Sequence, residues 1–550
     1  MSATSFTDVT VSIVLPRGNQ LPYDEEGFQA SLRAALLQDH QPAEVLVVDG
    51  RGPEAPVDFI PPDVDVAVVQ HLPGHYANRA AMCSAALAAA TGDFLLLVLS
   101  DQAQVRLKRS AVGTLVMAAT RRRWASAGTS SARDANQPVG LVYADYERIE
   151  PDGQCVEVHL LDWHAGRLRD TFDIGNVLLF ETAALRNIGG FDVQYNAADL
   201  YDARLRLSES YDLLHVANRY AGGLYTVEAA SAGHNVFAYL LADKQTRLEL
   251  EQACSAHLRR IGAYLAPGEH VRRVEYSAQE EACFKDCIAS IVTPVNQRPE
   301  FIGRAIESVQ AQTVPQVEMI VVVNGGKADP TVDEARRYMA GGDRYDANKP
   351  PVRLIVVDVN NLGLCFNAAL AAARGKYYVQ LDSDDRLKPD AVEKLLAVFE
   401  SDPTVGMVVG SYEVWTLQDT GELVRNEEIP VVTHDEWTAD NGRNNLLRIN
   451  GAGAPRAAHV KVIADVGWFG VNDTAQCRNY GEDYDLVLRI SERYTIGRVW
   501  DPIYEVIRHS GGTDHAIDQA TIDRNDNAKD HMRVEALMRR LQLNRLNAGE

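Results

Sequence analysis

Paired cysteines, long apolar runs and an excess of positive charge are all missing from this chain of 550 residues. Its seven cysteines are scattered and form no Cys-x-x-Cys pair, so neither a zinc ribbon nor a redox motif is indicated. No apolar run approaches the roughly 20 residues of a membrane-spanning helix. Acidic residues outnumber basic ones by 76 to 54, and the resulting net charge of −22 argues against nucleic acid as a partner.

The same shortages bear on where the protein works. The opening residues, MSATSFTDVT, lack a basic segment followed by an apolar one, so we expect no secretory signal. A reducing, cytoplasmic location follows, with at most peripheral membrane contact. A basic cluster at Arg106, Lys108, Arg109 and positions 121–123 departs from the acidic background. We favour a solvated helix face for it over a patch that binds phosphate or membrane.

An internal repeat organises the chain. The segment Val-Ser-Ile-Val-Leu-Pro at 11–16 matches Ala-Ser-Ile-Val-Thr-Pro at 289–294. Further along, the surroundings of Gly92 match those of Gly375, and the helix-like segment that begins at Tyr201 matches the one that begins at Tyr484. Because the order of the matches is kept, we interpret the chain as one domain of about 230 residues that has been duplicated.

Each copy alternates short apolar strands with helical segments. This pattern predicts an α/β fold of two tandem Rossmann-like domains, each with a mainly parallel sheet covered on both faces. We expect the first domain at 1–234, a helical linker at 235–284, the second domain at 285–514 and a helical tail at 515–550. Ligands of such sheets bind at the carboxyl ends of the strands, which directs attention to the loops there.

The most distinctive motif is Leu381-Asp382-Ser383-Asp384-Asp385, at the end of a predicted strand of the second copy. In extended backbone, residues i and i+2 point the same way, so Asp382 and Asp384 aim at one spot. Two like charges held together raise each other's pKa unless a cation neutralises them. Oxygen ligands of this kind suit Mn²⁺ (or Mg²⁺), so the motif predicts a metal site, with an acidic surface turn as the alternative.

Five segments of the second copy together resemble family 2 glycosyltransferases of the GT-A fold. They are Ser-Ile-Val-Thr-Pro (290–294), Arg-Ala-Ile-Glu-Ser-Val-Gln-Ala-Gln-Thr (304–313), Val-Glu-Met-Ile-Val-Val-Val-Asn-Gly-Gly (317–326), Arg-Gly-Lys-Tyr-Tyr-Val-Gln-Leu-Asp-Ser-Asp-Asp (374–385) and Gly-Glu-Asp-Tyr-Asp-Leu (481–486). The resemblance covers about 287–512 well and about 9–232 more faintly. It is specific because the segments occur as an ordered set.

The resemblance implies roles for the acidic residues and one histidine. Asp382 and Asp384 would bind a divalent metal and the nucleotide diphosphate, and His509 would complete the metal site. Asp385 would lie beside the donor sugar. Asp483 would act as the catalytic base, with Glu482 as the alternative.

The resemblance also implies how the donor is held. Thr293 and Asn324 would bind the nucleobase, and Pro294 and Asn367 would contact the donor. A UDP-sugar is the expected donor. However, two departures from the family pattern matter. Asn324 stands where many members have an acidic residue that contacts uracil, so the identity of the base stays open. The segment that ends at Asn367 is two residues shorter than the common pattern, so its role stays open too.

The first copy has lost most of these groups. When the repeats are aligned, the first and third aspartates of the motif become Leu99 and Gln102, and only the middle one is kept, as Asp101. The base aligns with Leu200 and the histidine with Ala230. A leucine can neither ligate a cation nor accept a proton. We therefore expect a non-catalytic first copy, in which Asp101 is a retained turn or capping residue.

These features lead to one expected function and two rivals. The expected function is a metal-dependent, inverting transfer of a sugar from a nucleotide diphosphate to an acceptor hydroxyl, catalysed by the second copy. The acceptor is a glycan, a lipid-linked saccharide or a protein, and a homo-oligomer is compatible with the sequence. The rivals are a bifunctional transferase or polymerase with both copies active, and a scaffold that binds nucleotide sugar or glycan without turnover.

Overall fold

The computed structural model of the chain describes residues 8–548, apart from 19–21, 23, 63, 65, 121–136, 219–221, 229–243, 434–440, 452, 472–473, 475–479 and 510–517. Two compact units divide the chain, Met1–Ile261 and Gly262–Glu550. Within the described residues, no helix is both long enough and apolar enough to cross a bilayer. None of the six described cysteines forms a disulfide.

The described part of the first unit is built on a seven-stranded sheet. From edge to edge its strands are β3 (Val69–Pro73), β2 (Glu44–Asp49), β1 (Val11–Arg17), β4 (Phe94–Val98), β9 (Val177–Glu181), β6 (Val139–Ala144) and β10 (Asp212–Val216). The neighbours are parallel except around β9, which is antiparallel to both β4 and β6. A second sheet joins β5 (Gln104–Leu107), β11 (Tyr225–Glu228), β7 (Tyr146–Ile149) and β8 (Cys155–Val158).

Helices accompany this sheet, and two of them begin after a residue whose side chain caps the helix. Their bounds are α1 (Glu25–Leu36), α2 (Arg79–Ala89), α3 (Ala111–Thr120), α4 (Thr182–Asn187), α5 (Asp199–Ser208) and α6 (Lys244–Arg260). Asn78 caps α2 by accepting a hydrogen bond from the backbone N–H of Ala81. Helix α6 packs against the start of α5, where Glu249 accepts hydrogen bonds from the backbone of Asn196 and Ala197.

The second unit contains a nine-stranded sheet among its described residues. In order, its strands are β14 (Val352–Val356), β13 (Val317–Val323), β12 (Ala289–Val295), β15 (Tyr377–Gln380), β19 (Arg456–His459), β17 (Val405–Leu417), β20 (Thr495–Arg508) and β16 (Arg386–Leu387), with β18 (Leu423–Arg425) paired to β17. The helices are α7 (Ala278–Cys283), α8 (Pro299–Gln310), α9 (Thr331–Arg336), α10 (Leu362–Ala372), α11 (Ala391–Ser401), α12 (Gly442–Asn445), α13 (Val460–Asp465), α14 (Glu482–Ser491) and α15 (Gln519–Ala548).

The two units share one topology. The order β3-β2-β1-β4-β9-β6-β10 has the same directions as β14-β13-β12-β15-β19-β17-β20. The small sheet of the first unit also repeats the far ends of β20 and β17, which pair with β16 and β18. The first unit thus breaks two long strands that the second keeps continuous. The α/β class with mainly parallel sheets is confirmed, and the shared order supports the interpretation of a duplicated chain.

The same buried polar contact occurs at equivalent strands of both sheets. In the second unit the Ser290 hydroxyl donates to Glu318 at 2.8 Å and accepts from the backbone N–H of Gly375 at 3.0 Å. The first unit repeats this arrangement with Ser12, Glu44 and Gly92. The glycine is required sterically, because a Cβ on Gly375 would lie 2.5 Å from the backbone nitrogen of Ser290.

We predict that Gly375→Ala lowers the free energy of unfolding of the second unit by about 1–3 kcal/mol, the usual cost of overpacking. The added methyl group must push against the backbone of β12, which cannot move without breaking its pairing with β13. Urea unfolding measures the change. Gly451→Ala is the matched control, because a Cβ there meets no atom within 4 Å. Equal stability of the two variants would contradict the prediction.

Candidate active site

The predicted donor and metal residues gather at one edge of the second sheet. Thr293 and Pro294 lie near the end of β12, Asn324 follows β13, and Asp382 and Asp384 follow β15. These three strands are parallel neighbours, so their carboxyl ends meet at the same edge. The structure therefore brings together residues that are separated by up to 91 positions in the sequence.

Asp384 collects two cationic or potentially cationic partners on one oxygen. Its Oδ2 accepts a hydrogen bond from Nη1 of Arg298 at 2.5 Å and lies 3.1 Å from Nε2 of His509. The His509 ring stacks on Phe301 with centroids 4.2 Å apart, which fixes the direction of its nitrogen atoms. Oδ2 of Asp384 and Nε2 of His509 thus lie side by side, close enough to bind the same cation.

This donor set fits a divalent cation that is shared with a substrate. Manganese and magnesium accept carboxylate oxygens, and such ions often take one or two protein ligands together with substrate phosphates. No cluster of three or more His, Cys, Asp or Glu side chains placed to hold a metal occurs within the described residues. Asp384 and His509 therefore fit a shared site better than a closed protein cage, and Arg298 would have to release the Asp384 oxygen.

The other two aspartates of the motif face different surroundings. Asp382 is exposed, and its backbone N–H donates to the Tyr504 hydroxyl at 3.1 Å. Asp385 is buried, and its Oδ1 accepts a hydrogen bond from the backbone N–H of Ile507 in β20 at 2.8 Å. Burial and the two neighbouring aspartates raise the pKa of Asp385. Asp385 thus ties the motif to β20, and its predicted contact with the donor sugar stays a prediction.

A second pair of carboxylates stands at the start of α14. Glu482 and Asp483 lie in the first helical turn, where negative charge is favoured, after Gly481 with φ of +87°. Burial and the adjacent Asp483 raise the pKa of Glu482 to about 7. Burial alone would raise the pKa of Asp483, but Arg456 and Lys529 hold it below its usual value. Of the two carboxylates, Asp483 is therefore favoured as the ionised one, and Glu482 takes up a proton more readily.

A chain of side chains links the two carboxylate groups. Nη2 of Arg456 lies 3.0 Å from Oδ2 of Asp483, and its Nε donates to Oε1 of Gln380 at 3.2 Å. The Gln380 amide in turn donates to Oδ1 of Asp382 at 3.3 Å. The predicted base and the predicted metal motif therefore belong to one connected site.

The residues predicted to hold the nucleobase have free hydrogen-bonding capacity. Thr293 Oγ1 and Asn324 Oδ1 are buried and have no hydrogen-bond partner within the part of the chain that the structure describes. The Asn324 amide donates to Asn360 at 3.0 Å. Asn367 differs, because its amide nitrogen and oxygen both pair with the backbone of Phe469, at 2.9 and 3.0 Å. Asn367 anchors that loop, and its contact with a donor stays a prediction.

Sequence reasoning missed three polar residues of this site. Arg456 lies on the antiparallel strand β19, Gln380 ends β15 and Arg298 precedes α8. None belongs to a motif that the sequence marks as acidic or metal-binding. For Gln380 there was a usable signal, because residues i and i+2 of a strand share a face and Gln380 is two positions before Asp382.

In the first unit, a charged pair stands beside the positions that align with the predicted nucleobase residues. Arg17 and Asp49 face each other in the register where the second unit has Val295 and Val323. The two side chains pair at 3.4 Å, and the Arg17 guanidinium also lies 5.7 Å from the Phe59 ring. These side chains occupy the carboxyl ends of β1 and β2.

The corresponding metal position of the first unit is also changed. Leu99 is buried and stands where Asp382 would align. Burial raises the pKa of Asp101 against the opposing effect of Arg79. Arg79 pairs with Asp199, its Nε lying 2.8 Å from the carboxylate, and Asp199 aligns with Glu482. The aligned histidine position, Ala230, lies outside the described residues.

The described part of the basic cluster, Arg106, Lys108 and Arg109, does not lie on a helix. Arg106 lies on the strand β5 and pairs with Glu228 at 2.8 Å, and Lys108 pairs with Glu147 at 2.8 Å. The expectation of a helix was wrong for Arg106, because β5 is a strand paired with β11. Positions 121–123 lie outside the described residues.

Residues 290–448 match the family model described as Glycosyl transferase family 2. The chain carries a family 2 glycosyltransferase domain. The resemblance seen in the sequence is thereby confirmed for this domain. The aspartate motif lies inside the matched residues, whereas the candidate residues Glu482, Asp483 and His509 lie beyond them.

Curated relatives of the glycosyltransferase domain are similar over part of their length. The chain is 26% identical over 227 residues to a chondroitin synthase of Escherichia coli, which covers 41% of this chain and 30% of the relative. It is 27% identical over 206 residues to a hyaluronan synthase of Pasteurella multocida, covering 37% and 19%. Among solved structures, S. aureus TarS 1–349 in complex with UDP-GlcNAc has 16% identity and a TM-score of 0.33, covering 42% of this chain and 62% of that chain.

Proposed function

We propose that the second unit transfers a sugar from a nucleotide diphosphate to an acceptor hydroxyl, with inversion at the anomeric carbon. The observation that carries the proposal is the connected line Asp382–Gln380–Arg456–Asp483, which joins a donor-side carboxylate to an ionised candidate base. The family of residues 290–448 supplies the reaction class. The chain covers less than a third of the synthases named above, so its substrates are part of the proposal.

In this proposal the base is the ionised carboxylate of Asp483. It accepts the proton of the acceptor hydroxyl as that oxygen attacks the anomeric carbon, a role that typically contributes 10²–10⁴-fold. Arg456 orients the Asp483 carboxylate and keeps it charged. A protonated Glu482 beside it would serve less well as a base near neutral pH, because its pKa is about 7.

The donor would bind at the carboxyl ends of β12 and β13. Thr293 Oγ1 and Asn324 Oδ1 supply unused hydrogen-bonding capacity for a nucleobase, and a UDP-sugar is the favoured donor. Asp382, Asp384 and His509 would hold Mn²⁺ (or Mg²⁺), which neutralises charge on the departing diphosphate. The names chondroitin synthase and hyaluronan synthase favour a glycan as the acceptor.

A panel of nucleotide sugars tests the function. Thermal shift with and without Mn²⁺ should select one donor, and nucleotide release should then require an acceptor glycan. Binding of a donor without release, across a broad set of acceptors, would favour the scaffold alternative. The absence of disulfides among the described cysteines suits the proposed reducing, cytoplasmic compartment.

We further propose that the first unit is non-catalytic. Leu200 aligns with the proposed catalytic base Asp483 and cannot accept a proton. The Arg17–Asp49 pair stands beside the positions that align with the proposed nucleobase residues. The bifunctional alternative requires a second donor site at this place.

We therefore predict one nucleotide-binding site per chain. Isothermal titration of the full chain with UDP and Mn²⁺ should give a stoichiometry near one. In the first unit, the Arg17–Asp49 ion pair stands where a second nucleotide would have to bind. Arg17→Ala should leave transfer unchanged. A stoichiometry near two would contradict the prediction and favour the alternative of a bifunctional transferase.

A further inference from the structure

The C-terminal helix α15 buries charge on the side that packs into the second unit. Lys529, Asp530, Arg533 and Arg540 are all buried, the last three completely. Buried ions are costly unless they are well paired, and apolar residues of similar volume often serve stability as well or better. The retention of three cations on one helix therefore calls for a reason beyond stability.

One reason is the place that α15 contacts. Gly481 immediately precedes Glu482 and Asp483, and a Cβ on it would lie 2.6 Å from Cε of Met532. The φ of +87° at Gly481 also favours glycine. Helix α15 thus packs directly against the backbone that presents the catalytic carboxylates.

Lys529 connects this backbone to a second segment. Its Nζ donates to the backbone carbonyl of Asn450 at 2.8 Å and lies 5.0 Å from the centre of the Tyr480 ring. The same ammonium lies 5.9 Å from the centre of the Tyr484 ring, so it contacts rings on both sides of Glu482 and Asp483. Arg456 itself donates to the carbonyl of Gly453, so both cations hold the same stretch of chain.

Arg533 repeats the arrangement one helical turn further along. Its Nη2 donates to the backbone carbonyl of Ile449 at 2.8 Å, and its guanidinium lies 5.0 Å from the Tyr484 ring. The Tyr484 hydroxyl donates to the carbonyl of Leu446. Segments 446–450 and 480–484 are therefore joined through α15.

We propose that Lys529 is a positioning residue for the base Asp483, and that α15 belongs to the active site although it lies beyond the matched family domain. The ammonium holds the segment at Asn450 against the Tyr480 and Tyr484 rings, and thereby the backbone that presents Asp483 to Arg456. This inference rests on the proposed function, because it assigns Lys529 to the same base.

The test compares three variants of the full chain. Lys529→Met keeps the length and apolar stem but removes the charge, and we expect kcat to fall about 10–100-fold while the Kd for UDP with Mn²⁺ is unchanged. Lys529→Arg keeps the charge and should restore kcat to within about threefold. Arg540→Met is the matched control, because Arg540 is also a buried cation of α15 but contacts Arg443 and Asn444 instead. It should keep kcat even where its Tm falls.

A purely structural role gives a different pattern. If Lys529→Met and Arg540→Met lose kcat in proportion to their loss of Tm, or if Lys529→Met keeps full kcat, the inference is overturned. Hydrogen exchange separates it from the proposed function. Even in a chain without measurable transfer, Lys529→Met should raise amide exchange at 446–450 and 480–484 more than Arg540→Met does, and equal exchange in those segments would reject the positioning role.

Discussion

Replacing Asp384 with alanine should abolish manganese-dependent binding of the nucleotide sugar. The variant loses the oxygen on which His509 and Arg298 converge, so an incoming cation loses its best-placed carboxylate. Truncating one partner of a charge pair typically costs about 2–5 kcal/mol, which corresponds to roughly 30-fold or more in Kd. Calorimetric titration of UDP in Mn²⁺ and in chelator measures the difference directly.

The control for this variant is Asp333→Ala. Asp333 is an exposed aspartate of the same unit whose ion pair with Arg336 lies on a surface helix. It should bind UDP with unchanged affinity and unchanged dependence on Mn²⁺. Equal donor affinity of Asp384→Ala and the wild-type protein would remove the metal site from the proposal, and with it the assigned role of His509.

The sequence predicts the parts of this site that are local in the chain. Asp382 and Asp384 are two positions apart at a strand end, so their shared direction follows from the geometry of extended backbone. The parallel order around β12 follows from strands alternating with helices, and the repeated segments anticipate the topology that both units share. Such features depend on neighbours in sequence, and for this reason they can be recognised from the residues alone.

Other parts of the site depend on distant pairing and leave no local pattern. Arg456 reaches Asp483 because β19 enters the sheet antiparallel to β15, an insertion that strand-and-helix alternation does not predict. Lys529 contacts the Tyr480 and Tyr484 rings beside this carboxylate from a helix whose mixture of polar and apolar residues gives no clear buried face in the sequence. The pKa of Glu482 likewise depends on burial, which the tertiary structure determines.

Asp483→Asn should reduce transfer by about 10²–10⁴-fold while the Kd for the donor stays within about threefold. The amide keeps the shape of the carboxylate and can still accept from Arg456, but it cannot take the acceptor's proton. Single-turnover transfer measures the loss, and titration with UDP shows that the donor site survives. Glu482→Gln is the paired variant, and we expect it to retain most of the transfer rate.

The pH dependence distinguishes the two carboxylates independently of mutation. A base works in its deprotonated form, so activity is lost as the pH falls through its pKa. Because Arg456 and Lys529 keep the pKa of Asp483 below its usual value, kcat/KM should show no acidic limb between about pH 6 and pH 8. A base at Glu482 would instead make kcat/KM rise through a midpoint near pH 7, since that is the pKa of its carboxyl group. An acidic limb near pH 7 that disappears in Glu482→Gln would therefore transfer the role of base from Asp483 to Glu482.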